Sequence, residues 1–172
     1  MLPPPFPVTQ ETAPLCWAAA LSAWLLGTPG RRGLTVEEIV SRFKDCLLPD
    51  SGGLLDPSKF VQIAEAPAVR MAWQPLAGTD LTEGMVDYIT SDLCFGGYLY
   101  ALSMPQVNDD GLPLAHARVI YGSWLGYAWA MDAMTGNADF RWPYADIRNY
   151  RLLIGVRSEI IPEWSRGWQR PS

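Results

Sequence analysis

The segment Leu15 to Gly27, reading LCWAAALSAWLLG, is apolar around nearly its whole circumference when set on a helix, with Ser22 as its one interruption. A surface helix carries a polar face, and this one has none, so it belongs in an interior. Its length falls short of the roughly 18 apolar residues of a membrane span. The rest of the chain must therefore supply the layers that cover it. Thr12-Ala13-Pro14 marks its start, with Thr12 or Ala13 at the cap and Pro14 in the first turn, and Gly27 marks its end.

Composition narrows the classes further. The chain has 172 residues, 13 Lys+Arg against 18 Asp+Glu and a formal net charge of −5. Only Arg31 and Arg32 are adjacent, so no basic stripe for a nucleic acid is present. Hydrophobic residues make up 49%, with Trp 8, Tyr 7 and Phe 5, enough to build a core and too many for a disordered chain. The length suits one domain over residues 1–172. Met1 to Pro7 has neither a basic start nor an apolar core, so no signal peptide is expected. No membrane span is expected either, and the protein is read as soluble. Three cysteines, Cys16, Cys46 and Cys94, leave at least one thiol unpaired and point to a reducing compartment.

The order of elements predicts an α+β domain. Residues 1–9 form an extended leader, with Pro3, Pro4, Pro5 and Pro7 keeping the first part polyproline-like and outside the core. Thr35 and Glu38 form a capping box for a second helix with the stripe Val36, Ile39, Val40, Phe43 and Leu47. Further helices are predicted over Pro57 to Glu65 and over Leu81 to Leu93, the latter with Met85, Tyr88, Ile89 and Leu93 as its apolar side. Strands follow at Val69 to Leu76, Phe95 to Leu102, Leu114 to Tyr121, Tyr127 to Asp132 and Tyr150 to Arg157, mostly antiparallel. The tail, 162–172, either docks on the body or stands apart.

The single histidine, His116, falls on the third of these strands. A hairpin centred on Trp124 sets it directly opposite Asp132 on the returning strand, with Cβ atoms about 5 Å apart. A carboxylate beside an imidazole fixes its tautomer and steadies the imidazolium. Cys16 lies in the first turn of the buried helix, where unpaired N–H groups and the helix dipole favour an anion. Thiolate and imidazole together are what acyl transfer from an amide requires. Gln10, six residues before Cys16, is placed to donate to an oxyanion beside the Cys16 amide.

Gln10, then Cys16-Trp17, then His116 on a strand and Asp132 on the next together resemble the papain-like cysteine peptidases. The bacterial branch related to the peptidase domains of double-glycine bacteriocin exporters is the most similar in size and in its third residue. The resemblance covers the order of elements over most of the chain, but recognisable sequence only at Val8 to Ala20 and His116 to Gly136. It implies a nucleophile helix packed on an antiparallel sheet, with Cys16 as nucleophile, His116 as base, Asp132 as its orienting partner and Gln10 as oxyanion donor. It also implies cleavage of a protein or peptide after small residues, without cofactor or metal. The compact size suggests a toxin or effector exported by a dedicated machine, acting in a target-cell cytoplasm and held in check by a cognate immunity or inhibitor protein. Two papain signatures are replaced: Ala13-Pro14-Leu15-Cys16-Trp17 stands where that family has Cys-Gly-Ser-Cys-Trp, and Met131-Asp132-Ala133 where it has Asn-Ser-Trp-Gly.

Other assignments use the same residues. A deamidase, a transglutaminase-like enzyme or a peptidoglycan amidase starts from the same thiolate on an amide, and a binding module could keep the fold without activity. Cys16 taken alone reads as a small core hydrophobe, as a cysteine on an apolar helix usually is, and Asp132 as the start of a turn through Gly136. Gln10 could cap the following helix. Cys46 and Cys94 read as packing residues. Gly96-Gly97 suits close backbone approach, by a neighbour or a peptide. Asp109-Asp110-Gly111 reads as a solvated loop that fits no calcium motif, and the dispersed cysteines and lone histidine give no zinc spacing.

Overall fold

The computed structural model describes residues 1–10, 12–91, 97–104, 115–161 and 166–172. Within them the buried helix is α1, Cys16–Gly27, preceded by a 3-10 turn at Ala13–Leu15 that contains Pro14. Helices α2 (Val36–Arg42) and α3 (Phe60–Glu65) follow, then strand β1 (Met71–Ala77) and helix α4 (Glu83–Thr90). The second half holds β2 (Leu99–Met104), β3 (His116–Trp124), β4 (Tyr127–Asp132), β5 (Asn137–Pro143), the short α5 (Tyr144–Ile147) and β6 (Arg151–Arg157). The fold is α+β: one open six-stranded sheet in the order β1-β6-β2-β3-β4-β5, with every pairing antiparallel.

The sheet carries a core on each face. Tyr100, Leu102, Ala117, Val119, Tyr121 and Met131 join α1, α2 and α3 in one cluster. The alternate residues Leu99, Ala101, Ile120, Ala130, Leu152 and Ile154 join Val86 and Ile89 of α4 and Ile147 of α5 in the other. This is the period-two alternation of strands buried on both sides. α1 packs on β3 from one face and α4 from the other. Two indole N–H groups pin α1 in place, Trp17 Nε1 donating to the Gly53 carbonyl and Trp24 Nε1 to that of Tyr98, each at 2.9 Å. Both tryptophans thus bury their rings without stranding a donor.

The capping box of α2 is present as read, with Thr35 and Glu38 each accepting the other's backbone amide. Two expectations need correction. The leader is not outside the core: Leu2 and Pro5 are buried, and the Leu2 amide donates to the Tyr121 carbonyl at 3.0 Å. A proline-rich segment has little backbone entropy to lose and few amides to satisfy, so it can lie flat on a sheet. Tyr88 of α4 is exposed, because the helix turns Val86, Ile89 and Thr90 inward. β5 carries no strand signal in the sequence, since Asn, Ala and Asp are poor strand formers; it is an edge strand with its alternate residues Ala138, Phe140 and Trp142 turned toward the protein. The tail docks: Gln169 exchanges two backbone hydrogen bonds with Trp73 on the outer side of β1. Cys94, Gly96, Asp109-Asp110-Gly111 and Trp164 lie outside the described residues.

Candidate active site

Cys16 is the first residue of α1, and its side chain is carried to the start of β3, where Sγ donates to the Ala115 carbonyl at 3.4 Å. The next residue is His116, whose imidazole pKa the neighbouring Cys16 side chain raises. The imidazole Nε2 lies 3.1 Å from Asp132 Oδ1. With Nε2 committed to the carboxylate, Nδ1 is the ring nitrogen left for the sulfur. Thiol, imidazole and carboxylate from α1, β3 and β4 therefore stand in series.

The register that brings His116 to Asp132 differs from the expected one. Directly opposite Asp132 is Arg118, and His116 reaches the carboxylate from two residues further along the strand. A slip of two residues preserves the face, so the contact survives. The shift arises at the hairpin. Leu125 and Gly126, with φ of 53° and 81°, form a two-residue turn between Trp124 and Tyr127, the mirror-image type that matches strand twist. Tyr121 is then passed over in the pairing, between Ile120 opposite Ala130 and Gly122 opposite Trp129. Without that bulge Asp132 would oppose Val119 and point toward α1, away from His116.

Asp132 is 1% exposed and its oxygens are occupied. Oδ1 accepts from His116 and from the Met134 amide at 2.9 Å, and Oδ2 accepts from Arg118 Nε at 2.9 Å. Asp132 thus starts the turn that follows, as its plainer reading held, and orients the imidazole as well. Burial is the largest influence on its carboxyl and acts upward; the hydrogen bond and charge of His116, the charge of Arg118 and the Met134 amide outweigh it and bring the pKa from 3.8 to about 2. Burial likewise pulls the imidazole down, but the hydrogen bonds to Asp132 and Cys16 prevail and raise it from 6.5 to about 8. The resting cluster at neutral pH contains a carboxylate and an imidazolium.

Gln10 is tied to the same corner through its main chain: its backbone N–H donates to the Ala133 carbonyl at 3.1 Å, one residue beyond Asp132. The loop carrying Gly52 and Gly53 lies against the residues before Cys16. Gly53 has a φ of 113°, and a Cβ there would come within 2.7 Å of Leu15, so only glycine lets the loop close on this end of the helix. Cys46 is elsewhere, its Sγ 3.5 Å from Gln62 Oε1, and burial pushes its thiol up, as suits a packing residue.

Arg118 is the member of the cluster that the sequence reading missed. The signal was available: an arginine two residues from the histidine on an otherwise apolar strand has to find a buried anion. No group of three or more His, Cys, Asp or Glu side chains capable of holding a metal occurs among the described residues. Nor, among them, is any helix long and apolar enough to cross a membrane. Compared with known proteins, the chain matches no family model and no curated protein.

Proposed function

We propose that this protein is a papain-like cysteine hydrolase acting on an amide bond of a protein or peptide, with Cys16 as nucleophile, His116 as acid and base and Asp132 as the residue that orients it. One observation carries the reading: the only histidine of the chain lies between a helix-terminal thiol, which raises its pKa, and a buried carboxylate, to which it is hydrogen-bonded at 3.1 Å. A core histidine needs one partner, whereas this one has the two that nucleophilic catalysis uses.

In this reading the Cys16 sulfur, as thiolate beside the His116 imidazolium, attacks the amide carbonyl carbon. The C–S bond forms as the carbonyl π pair moves onto oxygen, where the Cys16 amide and the Gln10 side chain stabilise it. Collapse of that intermediate breaks the C–N bond, and the imidazolium protonates the departing amine. Water then attacks the thioester, giving its proton to His116, and leaves a carboxylic acid and the free thiol.

The test uses iodoacetamide, a reagent small enough for a cysteine that is 3% exposed. At neutral pH Cys16 is expected to be alkylated faster than Cys46 and Cys94. In cells, neo-N-termini are expected with the wild type and not with Cys16→Ala. Equal labelling of the three thiols, or the same neo-N-termini with Cys16→Ala, would remove the reading. Conversion of a target glutamine to glutamate without chain cleavage would reassign the reaction to deamidation with the same three residues.

A further inference from the structure

A carboxylate that is 1% exposed beside an imidazole faces a charge problem. While the imidazole is neutral, the carboxylate is an uncompensated buried anion, and once the imidazole is protonated the anion holds the proton too firmly for release to a leaving group. The structure supplies a second cation. Arg118 Nε donates to the free oxygen of Asp132 at 2.9 Å, and its guanidinium carbon sits 4.3 Å from the Trp142 ring centroid and 4.9 Å from that of Phe140. Both rings come from β5, and the side chain is 13% exposed. A planar cation flanked by aromatic rings is held in one orientation, which a flexible ammonium would not be.

Resting on the catalytic reading above, we propose that Arg118 is the positioning residue of the Cys16–His116–Asp132 cluster: clamped against Phe140 and Trp142, it fixes the second oxygen of Asp132 and balances its charge. The cluster of four is then neutral whether Cys16 and His116 are both uncharged or exist as thiolate and imidazolium. A proton crosses between sulfur and ring without creating net charge in the interior. The groups acting electrostatically on this site are His116 and Asp132 directly, with Cys16 and Tyr150 acting on Arg118. Arg118 repels the imidazolium while Asp132 attracts it, so the arginine keeps the histidine's proton mobile.

Because the chain has one histidine, its ring resonance in a ¹H–¹³C spectrum needs no assignment. The experiment is a pH titration of that resonance in the wild type, Arg118→Gln, Arg118→Leu and Arg118→Lys, alongside the pH dependence of iodoacetamide alkylation at Cys16. Both neutral variants are expected to move the midpoint above the wild-type value of about 8. Each is also expected to slow Cys16 alkylation at neutral pH by about tenfold, the scale of one lost charge-assisted hydrogen bond. Arg118→Lys, which keeps the charge, is expected to restore the midpoint. Arg118→Leu fills the slot between the rings with apolar atoms and serves if the glutamine variant does not fold. A midpoint unchanged or lowered in the neutral variants, or lysine titrating like them, overturns the proposal. Failure of the catalytic reading is seen separately: Cys16→Ala would then leave the histidine midpoint where it is in the wild type.

Discussion

The amide of Leu2 donates to the carbonyl of Tyr121, the bulged residue of β3, at 3.0 Å. Tyr121 is also the residue that decides which face Asp132 occupies. The N-terminal segment therefore holds the irregularity on which the contact between His116 and Asp132 depends. A bulge gives up ladder pairing, and an external amide returns part of what is lost.

Leu2→Ala should destabilise the protein by about 2 kcal/mol, the low end for a buried leucine because this one sits at the edge of the core. Urea denaturation measures the loss. A change within experimental error would mean that the leader does not support the hairpin.

Asp132→Asn removes the anion between two cations. The histidine midpoint should fall from about 8 to 6.5 or below, since the burial that opposes charge remains when the attraction is gone. Global stability should fall by about 3 kcal/mol because Arg118 is left buried without its counter-charge. The same NMR titration and a denaturant melt report both effects, and a midpoint that stays near 8 would show that the carboxylate does not govern the ring.

Stability should vary with pH in a stated direction. The folded-state pKa of His116 is raised, so its contribution is complete below 6.5 and is lost as pH rises through about 8. That of Asp132 is lowered, so its contribution is complete above 3.8 and is lost as pH falls toward 2. A plateau between about pH 4 and 6.5 follows, with a decline of about 2 kcal/mol on the alkaline side attributable to the histidine. Melting temperatures across pH test this, and a maximum above pH 8 would contradict it.

Leu125 occupies a left-handed conformation, φ 53°, and is 71% exposed. Its side chain is strained there and has little packing to offset the strain. Leu125→Asn should raise stability by about 1 kcal/mol, because asparagine tolerates this region. A lower melting temperature for the variant would show that Leu125 makes contacts that matter.

The parts of the fold that were legible are those with strong local signals. The unbroken apolar run announced α1, and the Thr35–Glu38 pair announced α2. The proximity of His116 and Asp132 was legible because a hairpin brings its arms together whatever the loop. Their exact pairing was not, because the bulge sits at a tyrosine and has no residue signature. The two errors cancelled in face: the turn lies at Leu125-Gly126 instead of around Trp124, and the bulge corrects the parity. β5 was hidden by weak strand formers, and with it the aromatic pair that clamps Arg118. The burial of Leu2 depends on contacts more than a hundred residues away, which no local pattern encodes.

The pairing of Gln169 with Trp73 has a consequence for how this chain behaves among its own copies. Strand β1 already carries Pro75, and the tail covers part of its outer row of amides and carbonyls. A sheet rim left open is a template on which another molecule's strand can grow. Cleavage that removes the last few residues would therefore uncover a sticky seam, and self-association should appear before any loss of the thiol–imidazole chemistry.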